Sequence, residues 1–213
     1  MTLLAFVLAF GAAQASAAGH PGRAVFDAAG CRACHSIAGR GGNSGPDLTL
    51  VGFRRTREWL ALWLKDPKAW KPDTKMPDFR LAGPERGAIV DYLSTLTGQD
   101  LGPLRQRWGH DGEAIYRFAG CVACHGAQGR GRHPNNNFHG GEIPAVFKVA
   151  DGYTLDELKA RIRSGRVPEA EDVSKPAPMV LMPAWGHVLE EEEIDSVARY
   201  LMSLAPVKKT EDF

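Results

Sequence analysis

The sequence contains the stretch Cys31-Arg32-Ala33-Cys34-His35 and, 90 positions later, the stretch Cys121-Val122-Ala123-Cys124-His125. Both stretches have the pattern C-x-x-C-H. Together they use all four cysteines of the chain, so no cysteine is left for a disulfide, a catalytic thiol or a thiolate ligand to a metal. These two stretches therefore carry all of the chain's sulfur chemistry outside its methionines.

The C-x-x-C-H pattern is the attachment signature of a c-type haem. Two thiols three positions apart, on a tight turn that opens into a helix, can reach the two vinyl groups of one porphyrin and form thioethers. The histidine that follows is then carried beneath the iron as an axial ligand. We therefore predict two covalently attached haem c groups, each with its own iron. The residues predicted to hold them are Cys31, Cys34, His35, Cys121, Cys124 and His125.

Two other functions also use C-x-x-C pairs. Four cysteines in two pairs can form one tetrahedral zinc site, and a single pair can be a thioredoxin-like redox centre. Neither alternative requires a histidine directly after the second cysteine, yet this chain has one in both places. The pattern therefore favours haem over zinc and over disulfide exchange.

The N-terminus has the features of a secretory signal. Residues from Leu3 to Ala13 are mostly apolar, and two A-x-A cleavage sites follow by Ala17. We predict a signal peptide over residues 1–18 and a periplasmic protein, since export suits haem attachment outside the cytoplasm. No Lys or Arg precedes the apolar run, which is the one feature of a signal peptide that is missing. An uncleaved membrane anchor is the alternative, although the run is short for the roughly 20 residues of a membrane span.

Length and charge limit the function further. Without residues 1–18 the chain keeps roughly 195 residues, which suits two domains of about 90 to 100 residues each. The formal net charge is +1, so nucleic-acid binding has no electrostatic support. Five further histidines lie in loops or linkers and are interpreted as surface residues. They are His20, His110, His133, His139 and His187.

The chain repeats itself, and the repeat defines the domains. Each half continues with a proline loop, a middle helix, a Met-Pro pair and a closing amphipathic helix with a tyrosine. We predict domain 1 over residues 19–98, a basic and exposed linker over 99–110, domain 2 over 111–206 and a frayed tail over 207–213. The repeated positions are Gly22 and Gly112, Phe26 and Tyr116, and the cysteines and histidine of each motif.

Capping residues place several helices. Thr56 is the predicted N-cap of the first middle helix, and Thr154 with Glu157 forms a capping box for the second. Pro84 opens the closing helix of the first half. The acidic run from Glu190 to Glu193 favours the positive end of the dipole of the last helix.

In the first half C-x-x-C-H is followed in order by Gly45-Pro46-Asp47-Leu48, Asp66-Pro67, Pro72-Asp73-Thr74-Lys75-Met76-Pro77 and Asp91-Tyr92-Leu93. With this series the first half resembles a class I cytochrome c, and the chain as a whole resembles a tandem dihaem cytochrome c of the bacterial periplasm. The resemblance implies an all-α fold of two tandem class I cytochrome c domains, each a few helices wrapped round one covalent haem.

The resemblance also implies roles for single residues. In that family a methionine of the late loop is the second axial ligand, which falls on Met76 here. The proline of the G-P-x-L loop offers its carbonyl to the axial histidine, which falls on Pro46. In the second half the corresponding residues are Met182, which precedes a proline as Met76 does, and Pro144, which lacks the preceding glycine. Met179 is the alternative ligand there.

Histidine and methionine together leave no open position on the iron, and methionine raises its potential. We therefore expect an electron carrier and not an enzyme, one that relays single electrons in a periplasmic respiratory chain. Its expected partners are a redox-protein donor and acceptor, including membrane respiratory complexes, with direct membrane contact only if the N-terminal segment stays uncleaved. The alternatives are a non-catalytic haem subunit of a larger oxidoreductase or oxidase complex, and a dihaem enzyme such as a peroxidase, which needs an open haem.

Overall fold

The computed structural model of the chain describes residues 19–131 and 133–204, and its regular structure is almost entirely helical. This confirms the all-α prediction. The predicted signal peptide and tail lie outside the described residues. No helix within the described residues is long and apolar enough to cross a membrane.

The first half contains α1 (Pro21–Ala28), a hairpin of β1 (Ser36–Ile37) and β2 (Arg40–Gly41), α2 (Val51–Arg54), α3 (Arg57–Lys65), α4 (Pro67–Trp70) and α5 (Gly83–Ser94). The second half contains α6 (Gly102–Trp108), α7 (Gly112–Phe118), α8 (Val122–His125), α9 (Leu155–Ser164) and α10 (Glu191–Ser203).

The two middle helices, α3 and α9, begin where their capping residues predict. The amide of Trp59 donates to Thr56 Oγ1 at 3.2 Å, which caps α3. At α9 the amide of Glu157 donates to Thr154 Oγ1 at 3.3 Å, and the Glu157 carboxylate accepts from the Thr154 amide at 2.8 Å. Each cap satisfies a backbone N–H that has no partner inside its helix. Both predicted helix starts are therefore confirmed.

A glycine lets the first and last helices of each half cross at close range. A Cβ atom built on Gly22 in α1 would lie 1.9 Å from the carbonyl oxygen of Ala88 in α5. A Cβ atom built on Gly112 in α7 would lie 2.1 Å from the carbonyl oxygen of Ser196 in α10. Any larger residue would push the helices apart, which explains why both glycines recur in the repeat.

An aromatic pair fills each crossing. The rings of Phe26 and Tyr92 have centroids 5.6 Å apart, and those of Tyr116 and Tyr200 are separated by the same distance. The Tyr116 hydroxyl also donates to the carbonyl oxygen of Gly126 at 2.7 Å, directly after the second C-x-x-C-H motif. The crossing therefore supports the motif as well as the core.

The prediction that the linker over residues 99–110 is exposed is wrong. Residues Gly102–Trp108 form the helix α6, in which Leu104 and Trp108 are completely buried in the core of the second half. Arg105 Nε and Trp108 Nε1 both donate to the Glu193 carboxylate at the start of α10, at 2.9 and 3.0 Å. The two buried residues lie four positions apart on one helical face, and the basic residues between them hid this short apolar stripe.

The two halves exchange apolar side chains. Ile143 and Val180 of the second half are buried in the core of the first. Leu50 and Phe53 of the first half pack into the core of the second, where the Phe53 and Trp185 rings have centroids 5.3 Å apart. The halves therefore meet across a shared apolar surface.

We expect Gly22→Ala to destabilise the protein by about 1–3 kcal/mol, the usual cost of overpacking. The added methyl group would overlap the Ala88 carbonyl. Gly87→Ala is the matched control, since Gly87 lies inside α5 with nothing within 4 Å of the added methyl group. It should stabilise the protein by up to about 1 kcal/mol through helix propensity. Denaturant unfolding followed by circular dichroism measures both, and equal effects would contradict the close crossing.

Candidate haem sites

The first motif holds its histidine against the proline loop. A 3-10 turn at Cys31–Ala33 begins the motif, and the His35 amide donates to the Cys31 carbonyl at 3.0 Å. His35 Nδ1 lies 2.8 Å from the carbonyl oxygen of Pro46. A carbonyl can only accept, so Nδ1 carries the proton and Nε2 is free to bind a metal. A Cβ atom on Gly45 would lie 2.6 Å from the ring, so glycine is needed for the loop to approach this closely.

The second motif repeats this arrangement with a longer loop. Helix α8 ends in His125, whose Nδ1 lies 3.0 Å from the carbonyl oxygen of Pro144. The histidine and proline are 19 positions apart here and 11 in the first half. Burial lowers the pKa of His125 and so favours the neutral ring that metal binding requires. Pro144 therefore lies where Pro46 lies in the first half, although no glycine precedes it.

The four cysteines are unpaired, and the first cysteine of each motif is not activated as a nucleophile. Burial raises the pKa of Cys31, and it raises the pKa of Cys121 to about 12. A redox-active C-x-x-C pair needs the opposite shift, because the thiolate is its reactive form. No group of three or more potential zinc ligands converges within residues 19–131 and 133–204.

The structure places Met76 beside the first motif's core. The Trp63 indole Nε1 donates to the Met76 sulfur at 3.0 Å. Met76 packs against the same apolar cluster that contains Cys31. A hydrogen bond to the sulfur fixes its position at the edge of the first core.

The structure separates the two methionines that compete in the second half. Met182 lines an open cavity together with His125, Cys121 and Cys124. Met179 packs instead against the core of the first half, and its amide donates to Asn136 Oδ1 at 2.8 Å. Only Met182 of this pair faces the second motif across a cavity, which supports it over Met179 as a ligand.

The side chains around both motifs fit a haem. Among the residues that the structure describes, three buried donor atoms have no hydrogen-bond partner, namely Arg55 Nη1 and Trp59 Nε1 in the first half and Arg161 Nε in the second. Arg161 also lines the cavity that contains Met182. Buried donors without partners are costly, and two of these carry positive charge. A haem has two propionate carboxylates, which are acceptors of the kind these donors lack.

The expectation that His133 is a surface residue is wrong. His133 is buried between the halves, with its ring centroid 6.1 Å from those of both Trp59 and Trp63. Burial lowers its pKa to about 4, so the ring is neutral at pH 7. The longer loop of the second half folds onto the first half, and no local feature of a glycine- and asparagine-rich loop reveals such a contact.

Sequence reasoning missed Arg54, which ends α2. Its guanidinium is buried and donates to the carbonyl oxygens of Asp47, Leu50 and Gly120 at 2.8, 3.2 and 3.2 Å. Arg54 lines the cavity of the second half although it belongs to the first. The contact requires a glycine directly before Cys121, because a Cβ atom on Gly120 would lie 2.4 Å from Arg54 Cζ. That glycine is the one sign of the contact in the sequence.

We expect Gly120→Ala to be more destabilising than Gly30→Ala. Both glycines precede the first cysteine of a motif and have positive φ, +94° and +75°, so alanine should cost about 1–2 kcal/mol at either. Only at position 120 does the methyl group also meet a guanidinium, which should add about 1–3 kcal/mol. Denaturant unfolding of the full chain measures the difference. Equal losses would contradict the contact between Arg54 and the second motif.

Known proteins match the chain in sequence and, weakly, in structure. The sequence profile of the family "Cytochrome c" matches residues 20–97 and again residues 110–205. Cytochrome c oxidase subunit 2 of Alkalihalophilus pseudofirmus is 31% identical over 84 residues, which are 35% of this chain and 25% of that protein. The chain thus spans about a quarter of that relative's length.

A chain of the reducing HAO-like protein complex of Kuenenia stuttgartiensis aligns over 87% of this chain and 96% of its own length, at 19% identity. Its TM-score is 0.32, which establishes no common fold. The family profile, by contrast, matches most of the chain, once on each half and each time across a C-x-x-C-H motif. The chain therefore belongs to the cytochrome c family, whose domains carry electrons by means of haem, and it contains two such domains in tandem.

Proposed function

We propose that this protein relays single electrons through two covalently attached haem c groups, one in each half. One observation carries the proposal. In both halves a C-x-x-C-H histidine is bound through Nδ1 to a proline carbonyl, at 2.8 Å for His35 and 3.0 Å for His125. Each half also places a methionine of its late loop, Met76 or Met182, beside its own motif.

The chain's residues have separate parts in this function. Each cysteine pair would tether one haem, and the free Nε2 of the histidine and the methionine sulfur would bind its iron. The haem supplies a centre that gains and loses one electron. The proline carbonyl holds each histidine ring in one orientation and increases its strength as a ligand. An iron bound by both the histidine and the methionine would carry electrons without binding a substrate.

The indole of Trp63 would tune the first site. Its N–H donates to the Met76 sulfur at 3.0 Å, which draws electron density from the ligand and so favours the reduced iron. The counterpart methionine Met182 lines an open cavity, and no hydrogen bond to its sulfur is found among the described residues. The two sites therefore should not have equal potentials.

We further propose that the protein works in the periplasm, as part of a respiratory chain. The apolar run and A-x-A sites over residues 1–18 support export. The similarity to an oxidase subunit supports a respiratory donor and acceptor. The net charge of +1 favours no strongly charged partner and gives no support for nucleic-acid binding.

A second candidate function is a non-catalytic haem subunit of a larger oxidase or oxidoreductase complex. Val167 and Val173 favour it, since they are 78% and 95% exposed on the loop that leads to Met182. Affinity purification of the protein from its own membranes distinguishes the two. A stoichiometric catalytic chain in the eluate supports the subunit, and a lone dihaem protein supports the free carrier.

We expect the exported protein to contain two c-type haems per chain by the pyridine haemochrome method. Both should be low-spin when oxidised and when reduced, with the weak far-red sulfur–iron band present when oxidised. A high-spin component, or carbon monoxide bound to a reduced haem, would mean that one iron has an open position. That result would contradict the proposed carrier function and favour an enzyme.

We expect Met182→Ala to remove the second site's share of the far-red band, because the second iron loses its sulfur ligand. Met76→Ala should remove the share of the first site. Met179→Ala is the matched control and should leave the band intact, since Met179 packs against the other half. If Met179→Ala weakens the band and Met182→Ala does not, the second ligand has been assigned to the wrong methionine.

A further inference from the structure

We propose that Arg54, a residue of the first half, is the buried cation of the second haem site and raises the reduction potential of the haem held by Cys121 and Cys124. The inference rests on the proposed function, because it requires a haem in the second cavity. It makes the second site a joint product of both halves.

The position of Arg54 is fixed by three backbone carbonyls. Its guanidinium donates to Asp47 and Leu50 within the first half and to Gly120 in the second. Across the described residues, no hydrogen bond or ion pair joins it to a carboxylate. A guanidinium keeps its proton under all physiological conditions. A full positive charge therefore lies inside the protein, hydrogen-bonded to neutral carbonyls, with the buried Asp47 carboxylate acting on it only through space.

The contact with the second motif is close and specific. Gly120 is the residue before Cys121, and its lack of a side chain is what leaves room for the guanidinium. The equivalent glycine of the first half, Gly30, has nothing within 4 Å of its Cβ position. The cation therefore approaches the cysteine end of the second motif, whereas no side chain makes the same contact at Gly30.

The sign of the effect follows from the charge on the iron. The oxidised centre carries one positive charge more than the reduced centre, so a nearby cation destabilises the oxidised state and raises the potential. The strength of the effect depends on burial, because charges in the interior are screened far less than charges in water. Arg161 and Arg166 also line the second cavity, but Arg161 is only partly buried and Arg166 is exposed. Their influence should therefore be weaker than that of Arg54.

Spectroelectrochemical titration of the full-length holoprotein tests the proposal. The second site's potential is identified as the one that falls in Met182→His, because histidine stabilises oxidised iron more than methionine does. We expect Arg54→Met to lower that same potential more than it lowers the other. Arg54→Lys, which keeps the charge, should retain most of the wild-type value. If only the other potential falls, Arg54 serves its own half and the proposal is overturned.

Two matched variants separate burial from net charge. Arg166→Met removes a charge from the same cavity and should give a smaller shift that fades at high salt, whereas the shift in Arg54→Met should persist. Arg57→Met removes an exposed charge three positions along the chain and should move neither potential. Equal shifts in potential in Arg57→Met and Arg54→Met would show that only the protein's overall charge matters, and they would overturn the proposal.

The test remains decisive if Arg54→Met does not accumulate. Arg54→Gln removes the charge but keeps two amide donors for the carbonyls, and the same fall in the second potential is expected. A wild-type protein that lacks haem at the second motif would contradict the proposed function itself. A wild-type protein with both haems, together with an unshifted Arg54→Gln, would overturn this inference alone.

Discussion

In each half, the imidazole of the C-x-x-C-H histidine donates from Nδ1 to a proline carbonyl, and the rest of the site depends on this hydrogen bond. It fixes the ring's tautomer and orientation, and it leaves Nε2 as the only nitrogen that can bind a metal. The bond also ties the motif to the loop that follows it. The loop lengths differ by eight positions between the halves, yet the two distances differ by only 0.2 Å. The bond, and not the loop, is therefore the constant element of the repeat.

Local chemistry made part of this structure predictable from sequence. The N-caps Thr56 and Thr154 each form their hydrogen bonds within three residues, so the start of each helix is visible in the sequence. The repeated glycines, Gly22 and Gly112, report a close crossing because no other residue fits there. The matched motifs then gave the family and the tandem arrangement.

The contacts between distant segments were not predictable in this way. Leu104 and Trp108 are two apolar residues among arginines, and only their burial beneath α10 shows that they form a core face. His133 and Arg54 are polar residues buried where the halves meet, and each depends on partners in the other half. A single sequence carries no record of such pairings, since neither residue differs locally from an exposed one.

The exchange of side chains between the halves has a consequence for folding. Ile143 and Val180 complete the first core, while Leu50 and Phe53 complete the second. If either half opened alone, it would leave gaps in its neighbour and expose apolar surface on both. Opening one half therefore costs free energy in both halves. The chain should lose its structure in one cooperative transition instead of domain by domain. Two repeated domains therefore form a single folding unit.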